Sequence, residues 1–374
     1  KKALSAIEDY TISKTEYVAP TTLTENKLVT LWKEILGVKK IGITDDFFEL
    51  GGHSIKLTRL IGEYHKIFNV KLSLKDLFVN KTIKDHSNLM AISKNNNYAE
   101  IPVVLEKKNY PVSYAQRRLW ILCQTKEASV TYNIPISLKL KGYYDINHLE
   151  SSIRKVIQRH EILRTVFKSS KSDEVRQYII PKKSFKFKVN YENYQNDISP
   201  KLSAHTYIKK KSYIPFDLEN GPLLRASLLK VGKKSFVFYL NIHHIISDAW
   251  SVDILLKEIM DYYSLYSAGL QPAPKALKIQ YKDYTEWKLI QLQKKIISED
   301  KKYWLDTLSG QLPLLDLPST KSRPSIKTYN GRKFKTYLSK ELTSSIKQFG
   351  QFEGGSLFIS LLAAWNILLN KYTA

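Results

Sequence analysis

Two short segments hold side chains whose types and spacing could do chemistry. In LGGHSI, Gly51 and Gly52 permit a tight turn or a close backbone approach, and Ser54 then stands where a helical pattern begins. Free N–H groups and the helix dipole at such a start favour an anion, so a phosphodiester on the Ser54 hydroxyl would be stabilised there. A plain serine N-cap would use the same position. The second segment, HHIISDAWS, supplies His243, His244 and Asp248. Neighbouring residues on a strand point to opposite faces, so at most one of these histidines faces any given channel, and the two have unequal roles. His243 is expected to be buried and structural. Asp248, just ahead of an amphipathic helical stretch, is expected to cap that helix or to bond an imidazole or guanidinium. A metal is not expected: adjacent strand histidines diverge, and no further ligand cluster accompanies them.

Helical and strand patterns must position these groups. LTENKLVTLWKEILG predicts a helix through the spacing of Leu28, Leu31, Trp32 and Ile35, capped by Thr24 and ended by Gly37. A loop through ITDDFFELGGHS leads to a second helix with an apolar stripe of Leu57, Leu60, Ile61, Tyr64 and Phe68. SLKDLF and TIKDHSNLMAI complete a small helical bundle. SKNNNYAE reads as a linker. Beyond it, strand-like ISLKLKG and SFVFYLNIHH alternate with NHLESSIRKVIQRHEIL and WSVDILLKEIMDYYSLY, which predicts an α/β domain. SLFISLLAAWNILL is too short for a bilayer and is expected to be a buried core helix.

Composition narrows the class. A chain of 374 residues exceeds what one core usually organises, and 43% hydrophobic content excludes global disorder. The net charge of +24 divides into +4 over residues 1–98 and +20 over the rest, and its longest basic run is Lys209–Lys211. Such scattered lysines describe a solvated surface, so no nucleic-acid and no membrane partner is expected. The lone Cys123 excludes an internal disulfide and fits a reducing compartment, which makes the cytoplasm the expected location.

Residues from about Pro20 to Ser93, with DDFFELGGHSI and LFVNKTI, resemble a peptidyl carrier domain of non-ribosomal peptide synthetases. From Tyr110 onwards, SYAQRRLWIL (113–122), RHEILRTVF (159–167), IHHIISDAWS (242–251) and YKDYTEW (281–287) follow the order and approximate spacing of condensation-domain motifs. The resemblance implies a multidomain chain: an adenylation-domain tail and linker over 1–18, a helical carrier domain over 19–93 and a linker over 94–109. An incomplete condensation domain with a chloramphenicol-acetyltransferase-like α/β fold would follow over 110–374. It also implies that Ser54 carries 4′-phosphopantetheine, whose thiol holds an aminoacyl or peptidyl thioester. An upstream adenylation domain, a downstream acceptor carrier and a phosphopantetheinyl transferase are the implied partners.

Carried onto this sequence, the family pattern makes His244 the residue that acts on the attacking amine or the tetrahedral intermediate. Asp248 would be architectural, paired with Arg159 or Arg164, and Ala249 and Trp250 would support the same segment. The family usually places glycine where Ala249 stands, so the added methyl is expected to narrow the tunnel or shift the helix start. GGHS with SYAQRRLW fits condensation better than epimerisation, and cyclisation domains lack the double histidine. A non-catalytic docking domain is the alternative from another functional class, kept open by Ala249 and by a second lobe expected to be incomplete.

Overall fold

The computed structural model describes residues 16–70, 72–93, 100–124, 126–170, 174–293, 296–312, 317–318, 331, 334–353 and 355–373. The chain divides into two compact units at Glu100 and Ile101, inside the segment expected to be a linker, and each unit has its own hydrophobic core. The expected adenylation tail lies largely outside the described residues.

In the first unit the apolar spacing becomes four helices: α1 (Leu23–Leu36), α2 (Ser54–Phe68), α3 (Leu74–Val79) and α4 (Ile83–Ile92). Leu28, Leu31, Trp32 and Ile35 of α1 and Leu57, Leu60 and Tyr64 of α2 are buried, together with Phe47, Leu77 and Ile83. The cap of α1 is Thr22, not Thr24. Its hydroxyl accepts the Glu25 N–H at 3.1 Å, and the Glu25 carboxylate accepts the Thr22 N–H at 2.9 Å. Thr24 is one residue inside the helix, so the reciprocal pairing available to a Thr-x-x-Glu sequence decides the start. Gly37 closes α1 with φ 79°, as expected. Ser73 with Asp76 and Thr82 with Asp85 form the same box at α3 and α4.

A polar relay threads the core of this unit. Trp32 Nε1–H donates to the Tyr64 hydroxyl at 2.8 Å, which donates to His86 Nδ1 at 2.8 Å, and His86 Nε2–H donates to the Asn80 carbonyl at 2.7 Å. Its direction follows from its ends, since an indole nitrogen only donates and a carbonyl only accepts.

The second unit runs β1 (Tyr110–Pro111), α5 (Tyr114–Leu122), α6 (Lys126–Thr131), β2 (Asn133–Lys141) and α7 (Ile146–Arg159). A 3-10 turn (Glu161–Arg164), β3 (Thr165–Ser169), β4 (Val175–Ile179), β5 (Val189–Asn193), α8 (Pro200–Ser212), β6 (Leu224–Gly232) and β7 (Ser235–His243) follow. The chain continues through α9 (Ala249–Ser267), α10 (Tyr281–Gln293), α11 (Ile296–Thr307), α12 (Lys340–Phe352) and α13 (Leu357–Thr373).

The main sheet has the order β2-β7-β6-β5, antiparallel except for the parallel β5–β6 pair, and a smaller sheet has the order β1-β4-β3. β7 lies inside the main sheet. Phe236, Phe238, Leu240 and Ile242 enter the core with Leu149, Ile153 and Val156 of α7 and Leu255 and Ile259 of α9. Tyr239, Asn241 and His243 alternate with them, and the Tyr239 hydroxyl meets Ser212 of α8 at 3.0 Å.

Two expectations change. Part of the presumed linker is fastened to α10: the Val104 N–H donates to Asp283 at 2.9 Å, and Lys107 Nζ meets both Glu286 oxygens at 2.7 and 3.0 Å. The expected core helix SLFISLLAAWNILL is α13, and none of its residues is buried. It packs on α12, and one neighbouring helix covers only one stripe of a helix that is apolar nearly all round. No described helix is long and apolar enough to cross a membrane.

Candidate functional site

The first cluster lies at the start of α2. Leu50 N–H and Gly52 N–H close turns onto the carbonyls of Asp46 (3.1 Å) and Phe47 (2.8 Å), while the Asp46 carboxylate accepts the Phe48 N–H at 2.7 Å. Gly51 has φ 85°, in the left-handed region that favours glycine. A Cβ on Gly52 would lie 2.2 Å from Phe47 Cδ1 and 2.4 Å from the Phe47 carbonyl oxygen. Both glycines are therefore set by geometry.

The helix that follows differs from its three neighbours. α1, α3 and α4 are each sealed by a capping box with an acidic residue, whereas α2 has His53 at its N-cap, no side-chain cap and no acid in its first turn. The cap position belongs to His53, so the plain N-cap alternative for Ser54 does not apply. Ser54 is the first helical residue and exposed, and its hydroxyl has no hydrogen bond among the described residues. Lys56 adds positive charge nearby, its Nζ reaching the Gly51 carbonyl at 3.3 Å. An exposed, unengaged hydroxyl beside unpaired helix N–H groups and a lysine fits a phosphodiester.

The second cluster lies where β7 ends. His243 is fully buried; His244, one residue on, is exposed. The backbone between them is held closely. His244 N–H donates to the Tyr132 carbonyl at 2.8 Å, Ile246 N–H to the His243 carbonyl at 3.1 Å, and Ile245 N–H to His243 Nδ1 at 3.1 Å. Burial, with the neighbouring His244 charge as a smaller cause, pushes His243 down to about 4, so its ring is neutral near neutrality.

Asp248 caps α9, accepting from the Ser251 N–H at 2.7 Å and the Ser251 hydroxyl at 2.6 Å. Burial raises its pKa, but these two bonds and nearby His244 outweigh it and hold the carboxyl below its usual value. Ala249 is the first residue of α9 and Trp250 the second, both exposed. Alanine is a good helix former, and α9 begins at Ala249 itself.

The expected Asp248–arginine pair is not formed. Arg159 pairs with Glu258 and donates from Nε to the Lys275 carbonyl at 3.0 Å; His160 holds the other Glu258 oxygen at 2.7 Å. Arg164, buried, donates to the Ile180 carbonyl at 2.5 Å and to Glu161 at 3.2 Å. Each guanidinium has a nearer carboxylate on or against its own helical segment, which leaves Asp248 to its cap.

The four motif segments nevertheless meet through other residues. Ser113 and Tyr281 hydroxyls lie 3.0 Å apart, and Gln116 Nε2 donates to the Ile245 carbonyl at 3.5 Å. Gln280 Nε2 donates to the Arg159 carbonyl and Gln280 Oε1 accepts the Glu161 N–H, each at 3.0 Å, while Lys282 meets Glu161 at 2.8 Å. Burial chiefly raises the Tyr281 pKa, opposed by its bond to Ser113 and reinforced by the Tyr284 and Asp248 charges. Tyr132, Gln116, Tyr281 and Gln280 were not singled out from the sequence. Among the described residues, no three His, Cys, Asp or Glu side chains gather as metal ligands.

A helical unit with an exposed serine at a helix start is followed by an α/β unit in which a buried and an exposed histidine stand side by side where a strand ends. The condensation domain profile matches residues 106–374, and the phosphopantetheine attachment site profile matches residues 26–89. The chain belongs to the condensation domain family and carries ahead of it a phosphopantetheine attachment region of the kind found in non-ribosomal peptide synthetases. It is 37% identical over 364 residues to bacitracin synthase 3 of Bacillus licheniformis, covering 97% of this chain and 6% of that protein. It is 37% identical over 380 residues to tyrocidine synthase 3 of Brevibacillus parabrevis, covering 100% and 6%. The chain thus spans a small part of the relatives it matches. The X-domain from teicoplanin biosynthesis shares the fold, with TM-score 0.64 and 23% identity over 74% of this chain and 60% of that one. A variant starter condensation domain of rhizomide synthetase gives TM-score 0.58 and 22% identity over 71% and 59%.

Proposed function

We propose that the chain is a carrier–condensation segment of a peptide synthetase that joins an acyl thioester donor to an amine acceptor, with His244 at the reacting centre. The observation that carries this reading is the contrast at the end of β7. One histidine is buried and hydrogen-bonded, while the next is exposed on a backbone held by Tyr132, His243 and Gln116.

Ser54 is the residue that would hold the 4′-phosphopantetheine arm, with the positive end of α2 and the charge of Lys56 favouring its phosphodiester. When bound, that group supplies a thiol that carries an acyl chain as a thioester. A phosphopantetheinyl transferase attaches it, an upstream adenylation domain activates the acyl group, and a downstream carrier presents the amine.

His244 works on the acceptor side. In the reaction the new C–N bond forms, the C–S bond of the thioester breaks, and the thiol leaves with the proton given up by the amine. A free α-amine has a pKa of roughly 7.7–8.0, so an appreciable fraction is already nucleophilic near neutrality. Placing amine and thioester together contributes on the order of 7–11 kcal/mol in favourable systems, against about 10²–10⁴-fold from general base catalysis. The histidine therefore acts first by holding the amine or the tetrahedral oxyanion through a hydrogen bond, and second by relaying the proton. Asp248 acts on this centre through the start of α9 and as a nearby negative charge.

The test is intact mass of the 374-residue chain after a phosphopantetheinyl transferase loads an aminoacyl arm and an amine acceptor is added. Loading lost in Ser54→Ala, and acyl transfer lost in His244→Ala, are the expected results. Loading without transfer in the unaltered chain would make the second unit a docking domain, and no loading at all would remove Ser54 from its role.

A further inference from the structure

We propose that Cys123 is a positioning residue for His244: its sulfur accepts a hydrogen bond from His243 Nε2–H, which fixes the His243 ring and through it the backbone that presents His244. The proposal rests on the reading of His244 as the reacting centre. The Ile245 N–H can only donate, and it points at His243 Nδ1 from 3.1 Å. Nδ1 must therefore offer its lone pair, and a neutral ring then carries its proton on Nε2.

That proton has one place to go. Among the described residues the hydrogen-bonding partner of Nε2 is Cys123 Sγ, 3.5 Å away, and a thiol sulfur is a weak acceptor of such a bond. The imidazole has no exposure to solvent, so without the sulfur its N–H would be a buried donor with no partner. Phe216 also meets the ring edge-on, its centroid 6.0 Å away at 82°.

The pair does not form a thiolate–imidazolium nucleophile. Burial raises the thiol to about 11 and lowers the imidazole to about 4, so both are neutral at ordinary pH. Cys123 accepts rather than attacks. It also sits at the C-cap of α5, its N–H bonded to the Leu119 carbonyl at 2.9 Å, on the same helix as Gln116, which reaches the Ile245 carbonyl. α5 thus grips the turn at two points: Gln116 on the Ile245 carbonyl and Cys123, through the His243 ring, on the Ile245 N–H. His244 is the residue between the ring and that N–H.

The test uses the full chain labelled with ¹⁵N-histidine, with the His243 signals assigned through His243→Gln. Long-range ¹H–¹⁵N spectra of the unaltered protein are expected to show a protonated Nε2 and a bare Nδ1. In Cys123→Ala and Cys123→Val, exchange of the Nε2 proton and of the Ile245 amide should quicken on the order of fivefold, the worth of one net hydrogen bond. Peptide-bond turnover should fall by a similar factor in kcat at unchanged KM, with Cys123→Ser in between because its shorter side chain widens the gap. A proton on Nδ1 in the unaltered protein, or an Ile245 amide indifferent to both substitutions, would overturn the proposal. Should Cys123→Ala or Cys123→Val fail to fold, the unaltered tautomer and Cys123→Ser decide. Spectra as expected without any condensation would instead sink the function assigned to His244 while leaving the Cys123–His243 bond in place.

Discussion

Gly52 and Asp248 each have one atom-level job that substitution can isolate. A methyl on Gly52 would meet both the ring and the carbonyl of Phe47 below 2.5 Å, so Gly52→Ala should destabilise the first unit by about 1–3 kcal/mol and slow loading at Ser54. Gly51 faces open space but has φ 85°, and Gly51→Ala should cost about 1–2 kcal/mol from backbone strain alone. Thermal unfolding of both variants checks the pair. Asp248→Ala should cost about 1 kcal/mol through loss of the α9 cap, while Asp248→Asn keeps a cap acceptor and should cost less, losing only what the charge adds. A turnover loss in Asp248→Asn would then report the charge beside His244. The places of Ser54 at a helix start, of His243 and His244 at a strand end and of Asp248 at a helix cap were legible because each sits in a short motif beside a strong periodic pattern. The partner of Arg159 was not, because Glu258, 99 residues away, reaches it through folding rather than through sequence spacing. Cys123 was hidden for the same reason, lying 120 residues from His243.

At the scale of elements, the first unit depends on a buried relay between helices. Burial pushes His86 down to about 4, against opposing pulls from its bond to the Asn80 carbonyl and from the Asp85 charge. The unfolded chain, with an ordinary histidine near 6.5, therefore binds more protons between about pH 4 and 6.5. The stabilisation is complete above 6.5 and is lost as pH falls towards 4, amounting to about 3 kcal/mol. Amide exchange in α2 and α4 should accelerate across that window, and His86→Gln should flatten the dependence. Tyr64→Phe removes the hydroxyl between Trp32 and His86, leaving buried groups without partners at about 1–3 kcal/mol. Helix positions in this unit followed from the 3.6-residue spacing, but the α1 cap did not, because Thr22 and Thr24 both look suitable until Glu25 chooses between them. The relay itself was invisible: Tyr64 and Trp32 were recognisable as core, but not as hydrogen-bonded to each other.

Across the whole molecule, the α/β character and the order of motifs were readable from periodicity and resemblance, whereas the exposure of α13 was not. Apolar composition records what a helix seeks to bury, not what is present to cover it. Exposed Phe358, Ile359 and Trp365 should bind a hydrophobic dye, and removal of residues 340–374 should lower that signal. The state of Cys123 reaches further. It is the sole cysteine of the chain, and its thiol is raised to about 11 by burial, so it should react sluggishly with an alkylating reagent or a chromogenic disulfide near pH 8. An arm on Ser54 would bring an ordinary, solvated thiol. A colorimetric titration should therefore separate into a rapid phase and a slow one. The rapid amplitude would read the fraction of molecules carrying the arm, and acylation would silence it, so the protein contains its own internal standard for charging.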